Sequence, residues 1–173
     1  MHYGRITTVV GSILAIVGLG LKSASSDAEG LMPALSAATA GAIPDGFDRV
    51  VTAMWDKGAA GTAVFVIALA TVLVATLLPD LKVAMARMNA LIVTVLGVVM
   101  MVVGGIAAGR ALDDASDLQD AFTAMAAGGQ LPQAFAVTVS YGWYMLPLGG
   151  AIAAIGGVLQ LIARPDESAI TEE

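Results

Sequence analysis

Four carboxylates in one short stretch are the residues of this chain with the most capacity for chemistry. The four residues are Asp113, Asp114, Asp117 and Asp120. Several pairs of them are three, four or seven positions apart, and a helix would bring such positions onto one face. Carboxylate oxygens suit Ca²⁺ and Mg²⁺, so the group is a weak candidate for a divalent-cation site, although its spacing is not that of an EF-hand loop. Helix capping and a solvated helix face are commoner uses of such residues. No nucleophile stands beside them, which argues against an acid–base catalyst.

Other reactive side chains are scarce. The chain has no Cys, and His2 is its only His. Disulfides, thiolate metal sites and Cys nucleophiles are therefore excluded, and a haem or metal ion held by several His side chains cannot be built from this chain alone. The formal net charge of −6 argues against a nucleic-acid partner, which would need a basic face. We expect no cofactor and no enzymatic activity.

One motif occurs twice. The pattern G-x-[IL]-P-x-x-F-x7-W covers residues 41–55 and again 129–143, with each matched residue 88 positions from its partner, and both Trp of the chain fall in it. Weaker similarity, shifted by two residues, extends outward from both copies. We infer two tandem pseudo-repeats, about 1–87 and 88–166, related by a pseudo-twofold axis along the membrane normal.

Composition places the chain in a membrane. Of its 173 residues, 58% are hydrophobic and 13% charged, whereas a soluble domain has roughly half and a quarter. Four uncharged segments have about the length that a bilayer requires, roughly 20 residues, and they are 6–21, 59–78, 88–109 and 141–163. The sequence therefore predicts an all-α integral membrane protein. Its single domain over 1–163 would be a four-transmembrane-helix bundle built from two tandem two-span repeats.

The first segment has a rival interpretation as a cleaved signal peptide. Arg5 precedes an apolar stretch, and a Ser-Ala-Ser run follows at 23–25, as in such peptides. The repeat weighs against this interpretation, because it gives the first segment a counterpart in the third.

The orientation follows from the distribution of basic residues. The long loops 22–58 and 110–140 hold four basic residues against nine acids. On the other side, the short loop between the second and third spans carries Lys82 and Arg87. Arg5 and Arg164 lie on the same side as that loop. We place both termini in the cytoplasm and the long loops outside, and we expect the acidic tail 164–173 to be disordered. The high Ala and Gly content is typical of a GC-rich bacterial genome.

The two long outer loops are predicted to contain amphipathic helices. A helix opened at Asp113 would end at Gly128, because apolar residues recur at helical spacing between them. In the first loop, Asp27 would help to cap a helix that ends at Gly41, and a second helical series covers 47–55. Such helices lie at a membrane surface or cap the bundle.

The aromatic residues of the two motif copies fall near the predicted outer membrane boundary. The commoner arrangement is a belt of interfacial rings, which would consist of Trp55, Trp143, Tyr141 and Tyr144. Alternatively, the two motif copies meet and form an outward-facing apolar pocket, lined by Phe47, Trp55, Phe135 and Trp143. A lipid tail or another apolar molecule would bind in such a pocket. The two interpretations differ in whether the motif copies meet.

Small residues mark faces on which the spans pack. Gly105 and Gly109 lie four positions apart in the third span, and Gly149, Ala153 and Gly157 form a stripe at every fourth position of the fourth. Small residues let helix backbones approach closely within a membrane. These faces are expected to pack inside the bundle or, alternatively, against another membrane subunit.

The predicted spans have no ionisable residue near their middle, which argues against ion pumps and proton-coupled carriers. We therefore favour a non-catalytic accessory or structural subunit that packs against a larger respiratory or cell-envelope complex in the bacterial cytoplasmic (inner) membrane. Membrane lipids and other membrane protein subunits would be its partners. The alternatives are a binding or transport component for a lipid or other apolar molecule, and a self-assembling pore or holin-like protein.

Overall fold

A computed structural model of the protein describes residues 3–78 and 85–163. Lys82 of the predicted short loop and the predicted tail 164–173 lie outside the described residues. Within them the elements, in chain order, are α1 (Tyr3–Gly20), β1 (Ala24–Ser26), a 3-10 turn (Glu29–Leu31), α2 (Met32–Ala38), α3 (Val50–Lys57), α4 (Ala59–Leu77), α5 (Arg87–Ala127), β2 (Val137–Val139) and α6 (Gly142–Ile162).

Helices α1, α4, α5 and α6 are each long and apolar enough to cross a membrane. The prediction of a mostly helical chain with four spans is therefore confirmed, and the fold is that of a multi-pass membrane protein. Successive spans run in opposite directions. At one end of the bundle, Arg5 Nη1 of α1 donates to the carbonyl oxygen of Thr76 in α4 (3.3 Å). At the other end, Arg110 Nη1 of α5 donates to the carbonyl oxygen of Lys57, just before α4 (3.2 Å).

Glycines bring α1 and α6 into backbone contact. A Cβ built on any of six glycines would lie 2.6–2.8 Å from the carbonyl oxygen of the glycine opposite, and the opposed pairs are Gly4–Gly156, Gly11–Gly149 and Gly18–Gly142. The glycines recur every seven residues on both helices, so they stay on the seam between two antiparallel helices. Because helices in a membrane gain little from the hydrophobic effect between them, such close van der Waals packing stabilises the pair.

The far side of α6 packs against α5 in the same way. A Cβ on Gly157 would lie 2.7 Å from the backbone nitrogen of Thr94, and a Cβ on Gly97 would lie 2.5 Å from that of Ala154. In each Gly-Gly pair of α6, at 149–150 and 156–157, the first glycine faces α1 and the second faces α5. Helix α6 is therefore held between α1 and α5.

The four spans do not pack as two equivalent halves. A twofold axis relating the pseudo-repeats would make the α1–α4 contact equivalent to the α5–α6 contact. The α5–α6 interface is extensive, whereas that between α1 and α4 is slight. The packing of the described spans thus departs from the expected pseudo-twofold arrangement, and the repeat remains a sequence-based prediction.

Helix α5 runs without a break from its span into the part of the molecule formed by residues 22–58 and 110–140. We call the segments of this part the outer segments, because they lie beyond the ends of the spans. The prediction of a separate helix that opens at Asp113 was wrong, because one helix of 41 residues covers both the third span and this region. Its length is about 60 Å at 1.5 Å per residue. Neither Gly nor Pro occurs between Arg110 and Ala127, so nothing interrupts the hydrogen-bond ladder where the apolar stretch ends. The helix ends near Gly128, as expected.

The predicted helices of the first outer loop are shorter than expected. The stretch from Asp27 to Gly41 forms only the 3-10 turn and the seven-residue α2, and the series over 47–55 begins its helix at Val50. Asp48 lies before this helix, and its carbonyl oxygen accepts a hydrogen bond from the Ser23 backbone N–H (2.7 Å).

Two short strands, which the sequence does not predict, tie the outer segments together. Strand β1 pairs antiparallel with β2, with Ala24 opposite Val139. Lys22, shortly before β1, forms an isolated antiparallel β-bridge with Arg49. The outer segments also have a hydrophobic core separate from that of the bundle, formed by Ala28, Met32, Ile43, Phe122, Leu131 and Phe135.

Candidate functional site

The two Trp side chains of the repeated motif lie in different environments. Trp143, at the start of α6, is 1% exposed, and its indole Nε1 donates to the carbonyl oxygen of Ser23 (2.9 Å). Trp55, in α3, is 53% exposed. Trp143 is therefore a buried side chain that joins α6 to the first outer segment, while Trp55 lies on the surface.

The two Phe side chains also diverge. Phe135 packs edge to face on Phe122, with ring centroids 5.9 Å apart, inside the outer core. Phe47 is half-buried at the edge of that core and reaches a cavity. Of the four aromatic residues predicted to form a pocket, the structure brings only Phe47 and Trp143 to the same cavity.

This cavity lies between the first outer segment and the outer part of α5. Its volume is about 490 Å³, which is within the range of small-molecule sites. We call it the outer cavity. Its apolar wall combines residues from α3, α5, β2, α6 and the first motif copy, among them Ile43, Phe47, Ala53, Leu118, Val137 and Trp143.

Charged side chains line the remainder of the outer cavity. The carboxylates are those of Asp48, Asp56, Asp114 and Asp117, and the one ammonium group is that of Lys57. Four acidic residues and one basic residue give the lining a formal net charge of −3. An apolar wall with a few charged groups is typical of sites that orient a ligand.

Lys57 is the basic group of the outer cavity, and it pairs with Asp114. Burial lowers the pKa of the Lys57 ammonium below its ordinary 10.5, and the positive charge of Arg110 lowers that pKa further. The Asp114 carboxylate acts in the opposite direction, but its side chain is 59% exposed, so water screens its charge. No basic side chain among the described residues forms an ion pair with Asp48, Asp56 or Asp117.

The four carboxylates predicted as a weak metal candidate lie on the outer part of α5. Asp114 and Asp117 line the outer cavity, whereas Asp113 and Asp120 do not. Over residues 3–78 and 85–163, no group of three acidic or His side chains is placed to hold a metal ion. Because of their helical spacing, these carboxylates are spread along α5 and do not converge on one point.

The two sets of small residues have different roles. Gly149, Ala153 and Gly157 are buried in α6, where both glycines meet neighbouring backbone. Gly105 and Gly109 of α5 are open, since a Cβ on either would meet nothing within 4 Å. The face of α5 that carries these two glycines is therefore unused by the described part of the bundle.

Three charged residues of the outer cavity, namely Asp48, Asp56 and Lys57, were not predicted from the sequence. A signal was present, because all three lie within or next to the first copy of the repeated motif. The packing role of the seven-residue spacing of Gly4, Gly11 and Gly18 was not predicted either.

Comparison of the chain with protein-family models, curated proteins and solved structures found no match. The fold and the cavity define its class as a multi-pass helical membrane protein whose outer segments form a small core and a charged cavity outside the spans.

Proposed function

We propose that this protein is a non-catalytic accessory subunit that packs against a larger protein complex in the bacterial cytoplasmic membrane. Both termini would lie on the cytoplasmic side, and the outer segments would face the opposite compartment. The observation that supports the proposal most is the open glycine pair of α5, Gly105 and Gly109.

The other glycines of the spans explain why this pair is informative. Ten of them would place a Cβ within 3.0 Å of a neighbouring helix, and they are Gly4, Gly11, Gly18, Gly97, Gly104, Gly142, Gly149, Gly150, Gly156 and Gly157. Glycine in a helix costs about 1 kcal/mol relative to Ala, and close packing offsets that cost at these ten positions. The described bundle offers no such compensation at Gly20, Gly61, Gly105 and Gly109. Of these four, only Gly105 and Gly109 lie four positions apart on one helix.

The surroundings of the open pair fit a second helix. Large apolar side chains flank the two glycines on the exposed face, including Met101, Val102 and Ile106. Two small residues four positions apart between such side chains form a notch in which another transmembrane helix can approach the α5 backbone. The flexible side chain of Met101 can adapt to the partner surface. We therefore assign the notch to a helix of another subunit.

Co-purification from native membranes tests the proposal. The chain is tagged at its chromosomal locus and extracted in a mild detergent, and co-purifying proteins are identified by mass spectrometry. We expect stoichiometric recovery of a larger membrane complex with the native chain and its loss with Gly105→Leu/Gly109→Leu, because the new side chains fill the notch. Ala70→Leu, on an exposed position of α4, is the matched control and should keep the complex. Recovery of the native chain alone would reject the proposal.

The outer cavity favours a second candidate function, a binding component for a lipid or other apolar molecule. Its volume and its wall with Phe47, Leu118 and Trp143 fit an apolar group. Mass spectrometry of the gently purified protein should then reveal a bound molecule, which is lost in Phe47→Ala/Leu118→Ala and retained in Trp55→Ala. Equal content in all three proteins would reject this function.

A further inference from the structure

We infer that the outer cavity receives an organic cation with an apolar body. This inference rests on the second candidate function, that the cavity holds a molecule, and it specifies the charge of that molecule. Three features carry it, namely the composition of the wall, the excess of carboxylates and the absence of converging metal ligands among the described residues.

The wall provides the apolar and aromatic surface that such a ligand needs. Phe47 and Trp143 line the same cavity, together with aliphatic side chains. The faces of aromatic rings carry partial negative charge and attract ammonium groups, most strongly when the cation is shielded from water. Phe47 is half-buried, so part of its ring stays open to a ligand. Trp143 is 1% exposed and its indole N–H is bonded to Ser23, so this ring closes the wall of the cavity without leaving a buried donor unsatisfied.

The charges of the lining select the sign of the ligand. Lys57 is held by Asp114, whereas Asp48, Asp56 and Asp117 have no basic partner among the described residues. These three residues are exposed, so water screens each of their charges. Together they still favour a cation in the cavity over an anion. Like-signed charges around a cavity with apolar walls also concentrate oppositely charged ligands within it.

Two other occupants fit less well. A bare divalent metal ion needs several oxygen ligands at 2.0–2.6 Å, and no three acidic or His side chains of residues 3–78 and 85–163 are placed for that. A neutral lipid tail would pack against the apolar wall but would gain nothing from the acidic residues of the lining. A cation with an apolar body satisfies both the carboxylates and the apolar wall.

Fluorescence of Trp143 provides a direct test. The Trp55→Phe variant leaves Trp143 as the sole Trp of the chain, at the wall of the cavity. The purified full-length variant in a neutral maltoside detergent is titrated with benzyltrimethylammonium. Two probes of similar size serve as controls, neutral 2-methyl-1-phenyl-2-propanol and anionic phenylmethanesulfonate. We expect a saturable change in fluorescence with the cation, at a concentration well below that needed for either control.

Paired charge variants then locate the binding. In the Trp55→Phe background, Asp48→Asn/Asp117→Asn should weaken cation binding about fivefold or more, since two favourable charge interactions are lost. Asp113→Asn/Asp120→Asn makes the same change in net charge outside the cavity and should leave binding within about twofold. Circular dichroism verifies that all variants keep the helical content of the parent.

The possible outcomes distinguish an error in the charge of the ligand from the lack of a binding site. Cation-selective binding that depends on Asp48 and Asp117 supports the inference. Equal binding of the neutral probe overturns the inference and leaves the second candidate function standing. Equal weakening by both pairs of substitutions overturns the inference too, since it indicates a general surface-charge effect. No saturable response to any probe overturns the inference, whereas the second candidate function is decided by the bound molecule that mass spectrometry detects or fails to detect.

Discussion

Gly11 of α1 and Gly149 of α6 face each other so closely that a Cβ on either would lie 2.6 Å from the carbonyl oxygen of the other. This pair is the middle one of three on the seam between the two helices. The closeness of the backbones means that even one added methyl group must push the helices apart. The seam therefore depends on the absence of side chains at these positions.

A larger residue at the seam should destabilise the bundle. We expect Gly149→Val to lower the free energy of unfolding by about 3 kcal/mol or more, at the upper end of overpacking effects, because backbone atoms must move. Denaturation of the purified protein by increasing sodium dodecyl sulfate, followed by circular dichroism, measures the change.

The matched control for this prediction is Gly105→Val, on the open face of α5. Its Cβ would meet nothing within 4 Å, so we expect a change below about 1 kcal/mol, set by helix propensity alone. Similar destabilisation by the two substitutions would contradict the packing that we describe.

The uninterrupted course of α5 can be measured directly, because the chain has no Cys. Spin labels on Met101→Cys and Thr123→Cys are 22 residues apart (123 − 101) and should lie about 33 Å apart along one helix. Double electron–electron resonance should give one narrow distance distribution near that value. A break after Gly109, as the sequence predicts, would give a shorter mean distance and a broad distribution.

The environment of Lys57 predicts an unusual pH dependence of its reactivity. Burial and the positive charge of Arg110 lower its pKa below 10.5, so the neutral amine should exist in the folded chain at a lower pH than in the unfolded chain. Competitive acetylation at a series of pH values, with quantification of the Lys57 peptide, should give a midpoint below that of the same peptide in denaturant. Arg110→Gln should move the midpoint upward. An identical midpoint in folded and denatured chains would contradict the described environment.

The same pKa shift has a consequence for stability. Between the lowered pKa of Lys57 and 10.5, the unfolded chain binds more protons than the folded chain, so the free energy of unfolding rises with pH through that window. Lys57→Met should flatten this rise. If the free energy of unfolding of Lys57→Met rises with pH at the same slope, groups other than Lys57 cause the rise.

The spans could be predicted from the sequence because uncharged length is a strong local signal. The end of α5 near Gly128 could be predicted for a similar reason, since Gly128-Gly129 follows a helical pattern. The continuity of α5 past Gly109 could not be predicted. The loss of apolar character at Arg110 marks the end of an apolar stretch and does not mark the end of a helix. The residues from Arg110 to Ala127 keep good helix propensity.

The outer cavity could be predicted only in part. Phe47 and Trp143 were identified through the repeated motif, but their partners on α5 depend on how far that helix extends beyond the bundle. Strands β1 and β2 have three residues each, too few for a pattern of alternating side chains to be recognised. The divergence of Trp55 and Trp143 shows that matched positions of a repeat need not share an environment.

The central claim, that the open face of α5 binds another subunit, is tested most directly by photocrosslinking in native membranes. The photoreactive residue p-benzoylphenylalanine replaces Ile106, beside the glycine notch, or Ile155, on an exposed position of α6 that serves as control. We predict that irradiation attaches a second membrane protein to the chain at position 106 and not at position 155. Attachment of lipid alone at both positions, or of the same proteins at both, would contradict the claim.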